Sequence, residues 1–232
     1  MKRQYRKWWS PALQRDMEIL VFGERGVPVL VFPTSMGRFF QWEDFGIVEH
    51  LRRRIEPGLL QLWCVDSVDG ESFYDKRASV ADRVARHLAY ERYVLDEVVP
   101  ALRAANDTPY LTLLGSSFGA FHAALLATRH PGVAQKVVCL SGAYDVERWV
   151  GGPDGYYVNP LAFLPGLTDE RYLAPLRDTE VIVVTGEDDP NAYQSRRFAA
   201  ALQDKGVPAA LHVWSGWAHD WPYWKDMVDQ FL

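Results

Sequence analysis

Only two cysteines occur in the 232 residues, too few for a disulfide framework. Both lie inside apolar runs, Cys64 in LQLWCVD and Cys139 in KVVCLSG, where buried free thiols are the expected outcome. No run of about 20 apolar residues is present to span a bilayer. Nor does an apolar stretch follow the basic start MKRQYRK to make a secretory leader. A cytoplasmic protein without a membrane partner is therefore expected. Positive charge is also in short supply: 25 Lys and Arg face 30 Asp and Glu, a net charge of −5. That balance argues against nucleic acid as a partner, because phosphate binding draws its affinity from clustered cations. The one basic run, with Tyr5, Trp8 and Trp9 beside it, reads as a solvated edge strand. The acids of CVDSVDGESFY, Asp66 and Asp69, have no histidine or cysteine at ligand spacing, so neither a metal nor a cofactor is expected. Repeats, low-complexity tracts and linkers are missing too, which points to one domain over residues 1–232.

What the chain does have is core material, 48% hydrophobic and 13% aromatic. Short β-branched runs alternate with helical patterns. DMEILVFG, VPVLVFP, LLQLWCVD, YLTLLGS, KVVCLSG, EVIVVTG and PAALHVWSG each read as one strand. Continuous apolar strands are buried on both faces, the mark of a mostly parallel sheet. Helices are expected near residues 43–55, 79–104, 118–130, 191–205 and 221–231. The resulting fold class is α/β, a three-layer α/β/α sandwich with right-handed crossovers. RQYRKWW and RDMEILVFG, separated by SPALQ, predict an antiparallel strand pair before the parallel part. Residues 144–177 lack strand character and read as an insertion-like loop region, a length that usually serves function.

Gly115 to Gly119 reads G-S-S-F-G, matching G-x-S-x-G with Ser117 at its centre. In a nucleophile elbow the chain leaves a strand, turns sharply at the serine and enters a helix, so the neighbouring side chains must be tiny. YLTLLG supplies the strand and FGAFHAALLATRH the helix. A serine hydroxyl needs a base to take its proton and an acid to orient that base. Chain order places these after the serine, in loops at strand ends. His219 is the one histidine just past a strand end; His50, His87, His122 and His130 fall in helical patterns and His212 in a strand. The strand VIVVTG ends in Gly186, and G-x-x-D spacing points to Asp189, with Asp188 as the alternative acid. Two backbone donors complete such a site. Phe118, directly after the serine, is one; the second comes from the PTSMG loop, with Ser35 preferred and Met36 next. Aromatic residues gather in the same loops, Phe39, Phe40 and Trp42 after one strand and Trp217, Trp221, Tyr223 and Trp224 around His219, to be shared between core and an apolar substrate pocket.

GSSFGAFHAALLATRHP, LSGAYD, GEDDP and GWAHDWPYW, in this order, resemble the esterase D-like family of α/β-hydrolases, which includes S-formylglutathione hydrolases, feruloyl and acetylxylan esterases and mycolyltransferases. The segments VFPTSMGRF and CVDSVDGES resemble a compact bacterial branch of it. The resemblance covers nearly the whole chain. It implies a Ser117, Asp189, His219 triad, an oxyanion donor in PTSMG, no cofactor and a small-molecule ester substrate. One departure stands out, because Pro33-Thr34 occupies the place where many hydrolases carry His-Gly. The expected activity is serine ester hydrolysis through an acyl-enzyme on small to medium acyl esters. An acyltransferase or perhydrolase would use the same triad, and a hydrolase-fold binding module would use none of it.

Overall fold

A computed structural model describes residues 1–232. Eight strands form one sheet in the order β1-β2-β4-β3-β5-β6-β7-β8. They are β1 Arg3–Ser10, β2 Arg15–Phe22, β3 Val27–Phe32, β4 Leu60–Val65, β5 Thr112–Ser116, β6 Lys136–Leu140, β7 Glu180–Gly186 and β8 Ala209–Trp214. β1 and β2 pair antiparallel through a Ser10–Arg15 turn, and β2 pairs antiparallel with β4. Every other pairing is parallel. β1 is an edge strand whose residues alternate between exposed and half-buried, as its basic, aromatic sequence implies.

The central strands are apolar on both sides because both sides are covered. Along each, odd and even residues face opposite layers. Leu30, Phe32, Leu113, Val137, Cys139 and Val183 belong to one core cluster, and Val29, Val31, Leu114, Val138, Leu140 and Val184 to the other. The first layer holds α1 Val80–Tyr93, α2 Phe118–Arg129, α3 Glu170–Arg177 and α4 Ala192–Gln203; α5 Trp221–Phe231 lies on the second face. No helix is long and apolar enough to cross a membrane. Cys64 and Cys139 are buried and free.

Two expected helices and the expected loop region differ in detail from the structure. The helix near 43–55 is three single turns, Gln41–Asp44, Ile47–His50 and Arg52–Ile55, because Gly46 takes φ +77 and breaks the first from the second. The helix near 79–104 opens into a π-turn at Val94–Val98 before continuing as Val99–Ala105. Pro100 explains this: it has no N–H to give, and its ring crowds the carbonyl four residues back. Residues 144–177 contain no strand but are substantially helical, with turns at Glu147–Val150, Pro153–Val158, Pro160–Phe163 and Leu164–Gly166 before α3. Asn159 and Asp169 cap two of these elements through their side chains.

In a parallel sheet all strands end on one rim. Here that rim collects Pro33–Gly37 after β3, Asp66–Tyr74 after β4, Ser117 after β5, Ser141 after β6, Glu187–Asp189 after β7 and Ser215–Asp220 after β8.

Candidate active site

Ser117 stands between β5 and α2 with φ +55 and ψ −118, a conformation that side chains with a Cβ rarely adopt. Tertiary structure imposes it. Ser117 N–H donates to the Leu140 carbonyl at 2.8 Å, fixing the turn to β6. The two flanking glycines are required sterically: a Cβ on Gly115 would lie 2.1 Å from the Gly119 carbonyl carbon, and one on Gly119 would lie 2.5 Å from the Phe32 and Pro33 carbonyl oxygens. β5, α2 and the end of β3 therefore meet backbone to backbone, and the serine is pushed up onto the rim.

His219 reaches Ser117 from the loop after β8. Its Nε2 lies 3.1 Å from Ser117 Oγ, and its Nδ1 lies 3.0 Å from Asp189 Oδ1. The Asp189 side chain is fully buried. It accepts the Asn191 N–H at 2.7 Å on Oδ1 and the Thr185 hydroxyl at 3.3 Å on Oδ2. Asp188 is exposed, and its backbone N–H donates to the Gly216 carbonyl. The loops of Asp189 and His219 can approach because Gly186 has no side chain; a Cβ there would lie 2.4 Å from the Gly216 and Trp217 carbonyl oxygens.

Sequence reasoning missed the groups that hold His219. Ser141, buried at φ +52, donates its hydroxyl to the Ala218 carbonyl at 2.6 Å and accepts the Trp224 indole N–H at 3.0 Å. Nothing local marks this serine except its position at a strand end. Trp224 and Trp42 are core, whereas Trp217 is half exposed and stacks on the His219 ring at 5.8 Å. Trp221 stacks on Phe45 at 4.3 Å and meets Trp224 edge to face at 5.0 Å.

In the Pro33–Gly37 loop, the Met36 N–H is already committed to Asp69 Oδ2 at 2.9 Å. The N–H groups of Ser35 and Phe118 have no acceptor within the chain. Ser35 Oγ accepts the Tyr74 hydroxyl at 2.9 Å. Tyr74 packs on Phe118 and Trp149, each at 5.5 Å, so the 144–177 segment touches the rim through Trp149. No cluster of His, Cys, Asp and Glu is arranged to hold a metal. A cleft of about 540 Å³, lined by Met1, Lys2, Gly23, Glu24 and Arg25 among others, lies at the opposite end of the parallel strands.

The family model described as "Putative esterase" matches residues 10–231. The chain belongs to this esterase family. Its class is accordingly that of the carboxylic ester hydrolases. No curated protein matches the sequence. Among solved structures, a ferulic acid esterase superposes with a TM-score of 0.80 at 18% identity, over 100% of this chain and 96% of the other. The fluorophosphonate-binding serine hydrolase F of Staphylococcus aureus gives 0.76 at 14% identity, over 99% and 96%. An S-formylglutathione hydrolase from Agrobacterium tumefaciens gives 0.77 at 15% identity, over 98% and 92%. These esterase-family likenesses establish the α/β-hydrolase fold, as the sequence resemblance implied.

Proposed function

We propose that this esterase acts through Ser117 as nucleophile, His219 as base and Asp189 as the acid that orients it, on small to medium acyl esters. One observation carries the reading: a serine on a positive-φ elbow lies 3.1 Å from an imidazole whose far nitrogen lies 3.0 Å from a buried carboxylate.

The chemistry follows from these contacts. His219 Nε2 takes the hydroxyl proton as Ser117 Oγ attacks the ester carbonyl, and the Asp189 carboxylate stabilises the imidazolium that forms. The carbonyl oxygen becomes negative and is received by the Phe118 and Ser35 amides, both of which point at no partner in the chain. The α2 N-terminus adds a partial positive charge beside it. His219 then hands its proton to the leaving alcohol, a water is deprotonated in turn by the same nitrogen, and the acyl-enzyme is hydrolysed. Each backbone donor contributes about 3–4 kcal/mol to the barrier reduction in comparable sites.

Ser117→Ala tests this directly. Hydrolysis of p-nitrophenyl acetate and labelling by a fluorophosphonate should both vanish while the melting temperature stays near that of the wild type. Labelling that persists in the alanine variant would place the nucleophile elsewhere.

A further inference from the structure

The two amides assigned to the oxyanion, those of Ser35 and Phe118, belong to different elements: the Pro33–Gly37 loop and the first turn of α2. A single buried carboxylate touches the loop at Met36 and α2 one turn beyond Phe118, at His122. Asp69 Oδ2 accepts the Met36 N–H at 2.9 Å, and Asp69 Oδ1 lies 2.9 Å from His122 Nε2. A carboxylate only accepts, so Nε2 carries the proton and donates it. His122 follows Phe118 by four residues and so lies on the same face of α2, one turn further on. Their rings meet edge to face at 5.0 Å. The Asp69 side chain is fully buried and that of His122 is 2% exposed.

Met36 requires such a tie. Gly37 N–H donates to the Thr34 carbonyl at 2.9 Å, closing a four-residue turn with Met36 in its third position at φ +58. A positive φ there ordinarily calls for glycine or asparagine. Without a fixed acceptor for its N–H, the Ser35–Met36 peptide gains by rotating to give Met36 a negative φ, a change that also turns ψ of Ser35 and so loosens the turn in which the Ser35 N–H is held. Gln41 holds the other side of the turn, accepting the Thr34 N–H at 2.9 Å and donating to the Thr34 hydroxyl at 2.8 Å.

We infer that Asp69 is a positioning residue for the oxyanion hole: held by His122, it pins the Met36 amide and so fixes the Ser35 donor relative to Phe118. This rests on Ser117 being the nucleophile. Asp69 touches no reacting atom; it acts through the turn. A buried Asp–His pair that served only as a core brace would change stability while affecting ground state and transition state alike.

The experiment compares Asp69→Asn, which keeps an accepting oxygen at the same place, with Asp69→Leu, which keeps none. Each is measured for kcat/KM on p-nitrophenyl acetate, for affinity toward a trifluoromethyl ketone whose adduct carries the oxyanion, and for affinity toward the uncleaved amide analogue of the substrate. Asp69→Asn should lose about tenfold in kcat/KM, since a neutral acceptor binds an amide more weakly than a carboxylate. Asp69→Leu should lose about a hundredfold, the effect of misplacing one oxyanion donor. In both, ketone affinity should fall by the same factor as kcat/KM, with amide affinity within twofold of wild type. Wild-type kcat/KM in Asp69→Asn, or a fall in rate with ketone affinity unchanged, overturns the inference. Should Asp69→Leu fail to fold, the isosteric asparagine variant decides alone. If Ser117→Ala remains active, the reading of the site itself fails, and the two failures are thereby distinguished.

Discussion

Asp189 and His219, 30 residues apart in the chain, meet at 3.0 Å through Oδ1 and Nδ1, while Asp188, one residue from the acid, faces solvent. The choice between the two aspartates is thus a difference of burial as much as of distance. Asp189→Asn should lower kcat by about 10⁴-fold with the fold intact, because an amide there favours the wrong imidazole tautomer. Asp188→Asn should remain within twofold of wild type. Steady-state kinetics on both variants decide the matter, and the assignment fails if the second is the inactive one.

Backbone closeness at the elbow sets a second expectation. Gly119→Ala would drive a methyl group to 2.5 Å from two carbonyl oxygens of the β3 end. Neither oxygen belongs to a flexible side chain, so the helix start must move. A loss of about 2–4 kcal/mol in urea unfolding is expected, together with most of the activity. Unchanged stability would mean that the α2–β3 approach can open to admit a methyl group.

Trp217 offers a surface test. It is 48% exposed and lies over the His219 ring. When the imidazole takes up the serine proton, the indole face meets a cation, an interaction of about 0.5–1 kcal/mol at an exposed site. Trp217→Ala should therefore reduce kcat/KM by roughly two- to fivefold and leave the melting temperature unmoved. A drop confined to bulky acyl groups would instead mark the ring as part of the substrate wall.

Glu91 is a buried source of pH-dependent stability. Burial disfavours its charge, but hydrogen bonds from His130 and His87 and the charge of Arg129 overcome that, holding the carboxyl well below its usual range. With the folded value depressed, the unfolded chain takes up the proton first. The stabilisation is complete above the unfolded value of about 4.3 and is lost as pH falls toward the folded one. Glu91→Gln should cost about 2–4 kcal/mol at neutral pH, since it leaves Arg129 without its buried partner. Its stability curve should then converge with that of wild type in acid. Curves that stay parallel from pH 7 to about pH 3 would exclude Glu91 as the titrating group.

Strand runs such as VLVF and VIVV were legible because burial on both faces leaves no room for polar residues, and chain order then located Ser117, His219 and Asp189 on the rim. Helix interruptions were less so. Gly46 and Pro100 are visible as residues, but whether they end an element depends on what packs around them. Ser141, Asp69 and Tyr74 act across 33 to 77 positions of sequence, and no periodicity encodes contacts of that span. Asp69 and His122 looked like ordinary loop and helix residues, since their meaning lies in meeting each other.

The two buried sulfurs have a practical consequence. Burial pushes the Cys139 thiol up to about 12 and Cys64 higher still, so neither is a thiolate at neutral pH. Alkylating reagents such as iodoacetamide will find nothing to attack while the chain is folded. Uptake of such a reagent is then a built-in gauge of unfolding, readable in the same sample whose serine is being titrated.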